Sequence, residues 1–572
     1  MSPTSAEALL PRFSDPKDID TFVDMLAQFE SGALTSEQFR AFRLLRGVYG
    51  QRQTDVQMIR VKIPFGRLFP AQLEVLAQVG ERFSRGFGHV TTRQNVQFHF
   101  VQMSDVETAM RLMDEAGLTT REACGNSVRT VTACEVAGVC GGAAFDVTPY
   151  AEALTRMLLR HPLSSSLPRK FKIAFSGCSD DCAMGAINDL GFVARVVDGE
   201  RGFKVLAAGG LSTSPQAAIV LHEFVRAGEV SRVAESIVRL FHTLGNRENK
   251  HRARLKYVLR KLGEAGLREA YAARRAEVDA EALAELVEAP QPATEPAPPV
   301  VDDLPRADGY LAWNASAVFA QKQPGFSSVY VRLPLGDVTS AQLRALGSVA
   351  SRFGDGTVRL TIDQNLLIPW VDSRSLPALH RELAALGLSE LDRGTARDVT
   401  SCPGAETCNL AVTGSRSLAR AIADRLATDE ARSLAAFADT TIKISGCPNS
   451  CGQHHVADLG FHGAAKTNNG VTVPMYQLHL GGGIDERGAR FGRQVVKMIA
   501  RRVPEAVVGL LYLFESDHAE GEAPATFFQR VDPKRVVEAL ASVLGPPVEG
   551  DAFDIEQTTG FLVAIGAGEC AA

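Results

Sequence analysis

Eight of the ten cysteines in this chain of 572 residues fall into two quartets of one form. Cys134 and Cys140 precede Cys178 and Cys182, and Cys402 and Cys408 precede Cys447 and Cys451. Each quartet reads C-x5-C, a long spacer, then C-x3-C, with Ser-Gly before the third cysteine. Four thiolates suit zinc or an iron–sulfur cluster, and a set of buried reduced thiols is the third alternative. Structural zinc usually sits on C-x2-C knuckles, a spacing found in neither quartet. An iron–sulfur cubane is larger and tolerates wider, irregular ligand spacing on loops. The spacing therefore favours a cluster over zinc.

The elements that must carry these cysteines are written twice. "IRVKIPFGRLFPAQLEVL" (59–76) is echoed by "VRLPLGDVTSAQLRAL" (331–346), each reading as strand, turn and helix start. "TTRQNVQFHF" (91–100) is echoed by "TIDQNLLIPW" (361–370), and "SVRTVTACEVAGVC" by "TARDVTSCPGAETC". Cys402 and Cys408 lie 268 residues after Cys134 and Cys140, and Cys447 and Cys451 lie 269 after Cys178 and Cys182. So steady an offset across four motifs marks an internal duplication. The stretch 288–308, rich in proline, alanine and acids, predicts an extended linker between the copies. The charged run before it, from about residue 250 to 289, reads as helix. Runs such as "FKIAFSG" and "TTIKISG" read as strands beside helices such as "AEALTRMLLRH". Two mixed α+β halves about a pseudo-twofold axis are the expected architecture.

Composition narrows the class. Apolar residues make up 45% and charged residues 22%, as in ordinary globular proteins. The formal charge of −5 gives no reason to expect nucleic acid as a partner. There is no apolar run of about 18 residues to span a membrane, and "MSPTSAEALLPRFSDPKDID" has no apolar core for a secretory signal. A cytoplasmic location is expected, where thiols stay reduced and clustered cysteines are metal ligands or catalytic groups rather than disulfides.

Taken together, these motifs resemble the sirohaem-dependent sulfite and nitrite reductases, in order, from about residue 40 to 520. "CPGAETC" with "SGCPNSCGQ" is similar to that family's four-cysteine signature, and "RVKIPFG", "TTRQNVQFH", "NSVR" and "LPRKFK" to its substrate and haem motifs. The resemblance implies a duplicated α+β fold, each half with a ferredoxin-like and a haem-binding subdomain. It implies a 4Fe–4S cluster on Cys402, Cys408, Cys447 and Cys451, with Cys451 shared with the iron of sirohaem. It implies a cationic substrate pocket of Arg60, Arg129, Lys170 and Lys172, and Arg93, Gln97 and His99 at the haem carboxylates and pocket wall. Arginine holds an oxyanion through its planar fork, and a lysine among other cations gives up a proton more readily. On their own, an arginine on a strand, two lysines two apart and one histidine are ordinary structural residues. The family match, in order and on both sides of the duplication, sets them apart. His454 and His455, directly after Cys451, are read as supporting structure.

The expected layout is an N-terminal helical segment (1–45), a first ferredoxin-like half-domain (46–120) and a sirohaem and substrate domain with the extra quartet (121–285). The linker (286–308), a second half-domain (309–390), a cluster and sirohaem domain (391–545) and a tail (546–572) follow. The copies are unequal. Arg93 aligns with Asp363, Gln97 with Leu367, His99 with Pro369, Lys170 with Asp439 and Lys172 with Thr441, and only the arginines persist, as Arg332 and Arg397. Asp363 is expected to repel haem carboxylates, so one active site is expected across the pseudo-twofold axis. The first quartet (Cys134, Cys140, Cys178, Cys182) departs from many single-chain members, leaving a second cluster, reduced thiols or an adventitious metal site.

The resemblance leans to sulfite and keeps nitrite open. Lys172 in Lys-Phe-Lys is similar to the sulfite type, "CPNSCGQ" to the nitrite type. Tyr49 and Cys124 match positions joined by a thioether in some sulfite-reducing members. No G-x-G-x-x-G stands at a strand-to-helix turn, since "LGGGIDERG" (480–488) lacks the spacing, so electrons must come from an external carrier, by resemblance ferredoxin. Three alternatives remain: a two-cluster electron-transfer protein without haem, a zinc scaffold, and a sirohaem-family enzyme of tetrapyrrole biosynthesis. The tail and Cys570 are not explained by the family.

Overall fold

A computed structural model describes residues 10–292, 294–302, 304–468, 470–557, 560–566 and Glu569; Cys570 lies outside the described residues. Both copies contribute to one central domain. Its first sheet orders Val48–Gly50, Val56–Val61, Val96–Gln102 and Phe87–Val90, and its second orders Val318–Ala320, Phe326–Val331, Leu366–Asp372 and Val358–Leu360. Each sheet is completed by a strand of the other copy. Asp337–Thr339 pairs antiparallel with Phe87–Val90, and Arg67–Leu68 with Val358–Leu360. Helices Pro70–Phe83 and Ser340–Phe353 join through Arg344, which bonds Glu74 and Glu81 at 2.9 Å each. Apolar residues of both copies form one core, and Ile19, Phe22 and Phe39 of the two N-terminal helices belong to it.

The crossing depends on backbone chemistry at two matched turns. In Pro64–Gly66, Phe65 and Gly66 have φ of 45° and 72°; in Pro334–Gly336, Leu335 and Gly336 have 60° and 74°. A Cβ on Gly66 would sit 2.7 Å from the carbonyl oxygen of Leu360, and one on Gly336 2.7 Å from that of Val90. Gly66→Ala combines left-handed strain with this clash and is expected to cost about 2–4 kcal/mol. Gly86→Ala, at φ 79° with nothing within 4 Å, carries strain alone, about 1 kcal/mol. Thermal midpoints of the two variants test the difference; equal shifts would remove the clash from the argument.

Each copy then builds an outer domain on a mixed five-stranded sheet. Thr132–Ala133, Ile173–Ser176 and Leu190–Val197 run parallel, and Glu200–Ala207 and Ile219–Arg226 continue antiparallel. The second outer sheet repeats this with Thr400–Ser401, Ile442–Ser445, Leu459–Asn468, Val471–Leu480 and Arg493–Ile499. Two buried glutamines fasten these domains to the centre. Gln94 donates to the carbonyls of Ala133 (2.8 Å) and Leu360 (3.0 Å) and accepts from Ala133 N–H. Gln364 donates to Val90 O (3.0 Å) and accepts from Ser401 N–H (2.9 Å). The repeated Gln-Asn pairs of the sequence are therefore the joints that set the cysteine-bearing strands against the central sheets.

The long helix differs from its sequence expectation. Leu255–Ala280 breaks at Gly263 (φ 71°) and ends at Ala280, not near residue 289. Ala282 turns left-handed (φ 51°), and Arg232 and Ser231 donate to the carbonyls of Leu283 and Ala284. Side chains of a neighbouring helix thus satisfy carbonyls that further helix would have used. Among the described residues of 286–307 there is no helix or strand, and this stretch is fastened by Ala289 N–H to Pro149 O and Ala297 N–H to Gly354 O. Among the described residues no helix is long and apolar enough to cross a membrane.

Candidate functional site

The second quartet is assembled by parallel strand pairing. Ser401 pairs with Ile444, so Cys402 and Cys447 leave adjacent strands at the same end. Cys402 Sγ accepts from Gly446 N–H and lies 3.3 Å from Ser415 Oγ. Cys408 follows the short turn Gly404–Glu406, and Gly404, at φ 59°, packs against Ser415 where a Cβ has no room. The thiols crowd one another. Burial, then Cys451, Cys402 and Cys408, push the Cys447 thiol up, and burial and Cys451 raise Cys402. Cys447 is buried, while Cys451 is exposed on the side facing the first copy.

There the two copies meet. Thr92 of the first copy donates its hydroxyl to Cys451 O at 3.1 Å, and Cys451 acts electrostatically on Lys172. Arg60 donates to Ala123 O and Cys124 Sγ, both at 3.4 Å, and Gln97, with its amide oxygen toward Arg60, accepts from its Nη2 at 2.7 Å. Arg129 donates to Gly125 O and Ala123 O, and Arg93 to Asn188 Oδ1 and Thr130 O. Arg60, Arg93, Arg129, Lys170 and Lys172 are each partly exposed. Burial, then Arg129 and Arg254 among its neighbours, push Arg93 down to about 9. Burial, then Arg93, Arg254 and Lys170, hold Lys172 well below its ordinary value. His99 is less open, 9% exposed, with its ring near His89 and its titration pushed down to about 3 by burial.

Sequence reasoning missed Arg254 and Asp189. Arg254 Nη2 bonds Asp189 Oδ2 at 2.6 Å with side chains 7% and 0% accessible, and the same oxygen accepts from Lys172 N–H at 3.0 Å. Lys256 is also buried, with its ammonium on the carbonyls of Leu211 and Ser214. No repeated motif marks these residues.

At the equivalent place in the other copy, protein ion pairs fill the space. Lys443 Nζ bonds Asp363 at 2.6 Å, Arg332 bonds Glu390 and Asp398, and Arg397 bonds Asp392. Arg393 covers the Tyr330 ring at 3.6 Å, and burial, with Asp363 second, raises Glu135 to about 7. Asp363 is thus neutralised by Lys443, which sequence alignment of the copies did not pair with it. The first quartet does converge: Cys178 and Cys182 Sγ lie 3.8 Å apart, Cys182 bonds Cys134, and Cys140 Sγ and Cys178 Cβ flank Gly142.

Two further features border the second quartet. Tyr49 and Cys124 share one buried cluster with Leu44 and Met58, and Arg60 lies over the Tyr49 ring at 5.7 Å. The C-terminal segment crosses the cysteine loop: Arg52 bonds the carbonyls of both Ala411 and Ala564, Gly566 N–H bonds Asn409 O, and Glu569 pairs with Arg43.

Comparison with known proteins agrees with this geometry. The nitrite and sulphite reductase 4Fe-4S domain matches residues 124–278 and 393–542, and the nitrite/sulfite reductase ferredoxin-like half domain matches 49–116 and 319–386. A ferredoxin–nitrite reductase of Leptolyngbya laminosa is 30% identical over 458 residues, 77% of this chain and 83% of that protein. A ferredoxin sulfite reductase of Mycobacterium tuberculosis is 30% identical over 483 residues, 83% of this chain and 82% of that protein. The solved structure of the Mycobacterium tuberculosis NirA protein superposes with a TM-score of 0.77 at 27% identity, covering 91% of this chain and 95% of that one. With both family domains matched twice and the cysteines and cations brought together between the copies, the chain belongs to the nitrite and sulfite reductase family.

Proposed function

We propose that this protein reduces sulfite to sulfide, nitrite to ammonia, or both, with six electrons drawn from ferredoxin, and that it works in the cytoplasm. One observation carries the reading: the cations of the first copy act on one another, and Cys451 of the second acts on Lys172 among them. The residues fit the cofactors the family implies. Five cations and Arg254 converge there with Asp189 the carboxylate bonded among them, an arrangement that suits a ligand bearing several carboxylates. The crowded thiols of Cys402, Cys408, Cys447 and Cys451 suit a cluster, whose positive iron relieves their mutual repulsion. Arg93, Gln97 and His99 are assigned to the haem side, and Cys451 to both cofactors. When bound, sirohaem and its cluster would relay the electrons of ferredoxin and offer an iron for the anion.

The chain's own residues do the rest. Arg60 and Arg129 present guanidinium forks to the oxyanion. Lys170 and Lys172 hold protons at Nζ for oxygens that leave as water, and burial among cations makes the Lys172 proton easier to lose. The first quartet is assigned to a second cluster, because four thiols converge there with the same crowding. On anaerobically prepared protein, about nine irons, eight sulfides and one sirohaem are expected per chain on this reading. About five irons and four sulfides would leave the first quartet as thiols, and absence of sirohaem would overturn the reductase itself. Turnover of sulfite and nitrite with reduced ferredoxin then ranks the two anions.

A further inference from the structure

A second constellation of ligand atoms lies just beyond Cys451. The short turn His454–Val456 places His454 against two strand residues, His462 on Leu459–Asn468 and His479 on Val471–Leu480. Their ring centroids form a nearly equilateral triangle of 5.0, 4.8 and 4.9 Å. The ligand atoms of all three lie within 4.8 Å of one another. His462 Nδ1 and His479 Nε2 are 2.7 Å apart. His454 is fully buried, and neither of its ring nitrogens has a hydrogen-bond partner. Burying such a group unsatisfied is costly, so a polar residue here needs a reason.

The duplication provides an internal comparison. Strand register places Gly191 opposite Leu206 in the first copy and Gly460 opposite His479 in the second. On the same alignment His454, His455 and His462 occupy the places of Gly185, Ala186 and Val193. In the first copy Ala186, Val193 and Leu206 form a small buried apolar cluster. The fold is therefore satisfied by one glycine and three aliphatic side chains at these positions, and the second copy carries four imidazoles there.

We propose that His454, His462 and His479 bind one late first-row divalent transition ion, with zinc as the reference. Imidazole nitrogens suit zinc, copper, nickel and iron, whereas magnesium and calcium require oxygen donors. The ligands are in the form a metal needs: burial keeps all three imidazoles neutral near pH 7, with His462 down to about 4 and His479 to about 3. His462 and His479 share one proton between facing nitrogens. For an ion to bind both, that proton passes to the other ring nitrogen of the same imidazole, so each ring stays neutral, and the facing nitrogens move to about 3.3 Å apart, for tetrahedral bonds of about 2.0–2.1 Å, a small rotation of half-buried His462. His455 is outside the triad; its Nε2 bonds Ser212 O at 3.0 Å, and its ring lies against those of His454 and His479. With three neutral ligands the ion keeps its charge and an open fourth position for water or an anion. This site is separate from both cysteine quartets and does not depend on the reductase reading.

The test uses the holoenzyme and zinc itself. Chelator-washed protein is dialysed against buffered free Zn(II), and zinc, iron and sirohaem are counted per chain. The comparison is His462→Val with His479→Leu, the residues the first copy uses. Expected is about one zinc per wild-type chain at micromolar free zinc, and affinity at least about 100-fold weaker in the double variant, with iron and sirohaem unchanged. Wild-type protein that takes up no zinc overturns the proposal, as does a double variant that binds zinc equally, which would assign the ion to other ligands. If the double variant loses its haem, His454→Gly, matching Gly185, is compared in its place with the same two outcomes.

Discussion

Replacing Lys172 with methionine is expected to lower kcat for sulfite and nitrite by about 10²–10⁴ while leaving iron and sirohaem content unchanged. Methionine keeps the length and apolar stem but removes the ammonium. The backbone at this position is held independently, because Lys172 N–H bonds Asp189 Oδ2 at 3.0 Å. Cys451 of the second copy acts on this side chain, so its charge lies at the junction of the two copies. Lys172→Arg restores positive charge but not a proton that leaves easily. It should recover binding, seen in KM, more than turnover. Assays driven by a small chemical reductant keep ferredoxin docking out of the comparison. A methionine variant with wild-type kcat would remove Lys172 from proton delivery.

The second large effect concerns stability. Asp189→Asn preserves shape but leaves Arg254 buried beside Arg93, Lys172 and Lys256 with no opposing carboxylate. Breaking a buried pair by neutralising one partner costs about 3–5 kcal/mol. Arg254→Met together with Asp189→Asn should recover much of that loss, since the cost lies in the orphaned charge. Thermal midpoints of the protein freed of sirohaem measure both variants. Saturation with sirohaem should narrow the gap, because its carboxylates offer Arg254 a substitute partner. Equal midpoints for Asp189→Asn and wild type would show that Arg254 is compensated elsewhere.

Motif repetition made the duplication, both quartets and the one-sided cationic set legible in the sequence. Each of those signals is local: a turn, a strand and two or three residues in fixed order. What escaped sequence reasoning depends on register and on separations without a motif. Asp189 and Arg254 lie 65 residues apart and meet because Asp189 precedes a strand whose sheet packs against the helix that begins at Leu255. Lys443 and Asp363 come from different domains of the second copy. His462 and His479 are 17 residues apart on antiparallel strands, and only the pairing of Gly460 with His479 sets them side by side. The helix end at Ala280 escaped because its sequence remains helix-favouring; neighbouring Arg232 and Ser231 stop it. Charge reasoning on Asp363 did not foresee its ion pair with Lys443.

The exchange of strands between the two central sheets also has a consequence for how the chain is made. Synthesis runs from the N-terminus, so the edge of Phe87–Val90 stays unpaired until Asp337–Thr339 has left the ribosome. During that interval the nascent first copy presents an open edge, a template for pairing with another chain. By the same dependence, a polypeptide truncated before residue 337 cannot complete its first sheet and keeps that edge open.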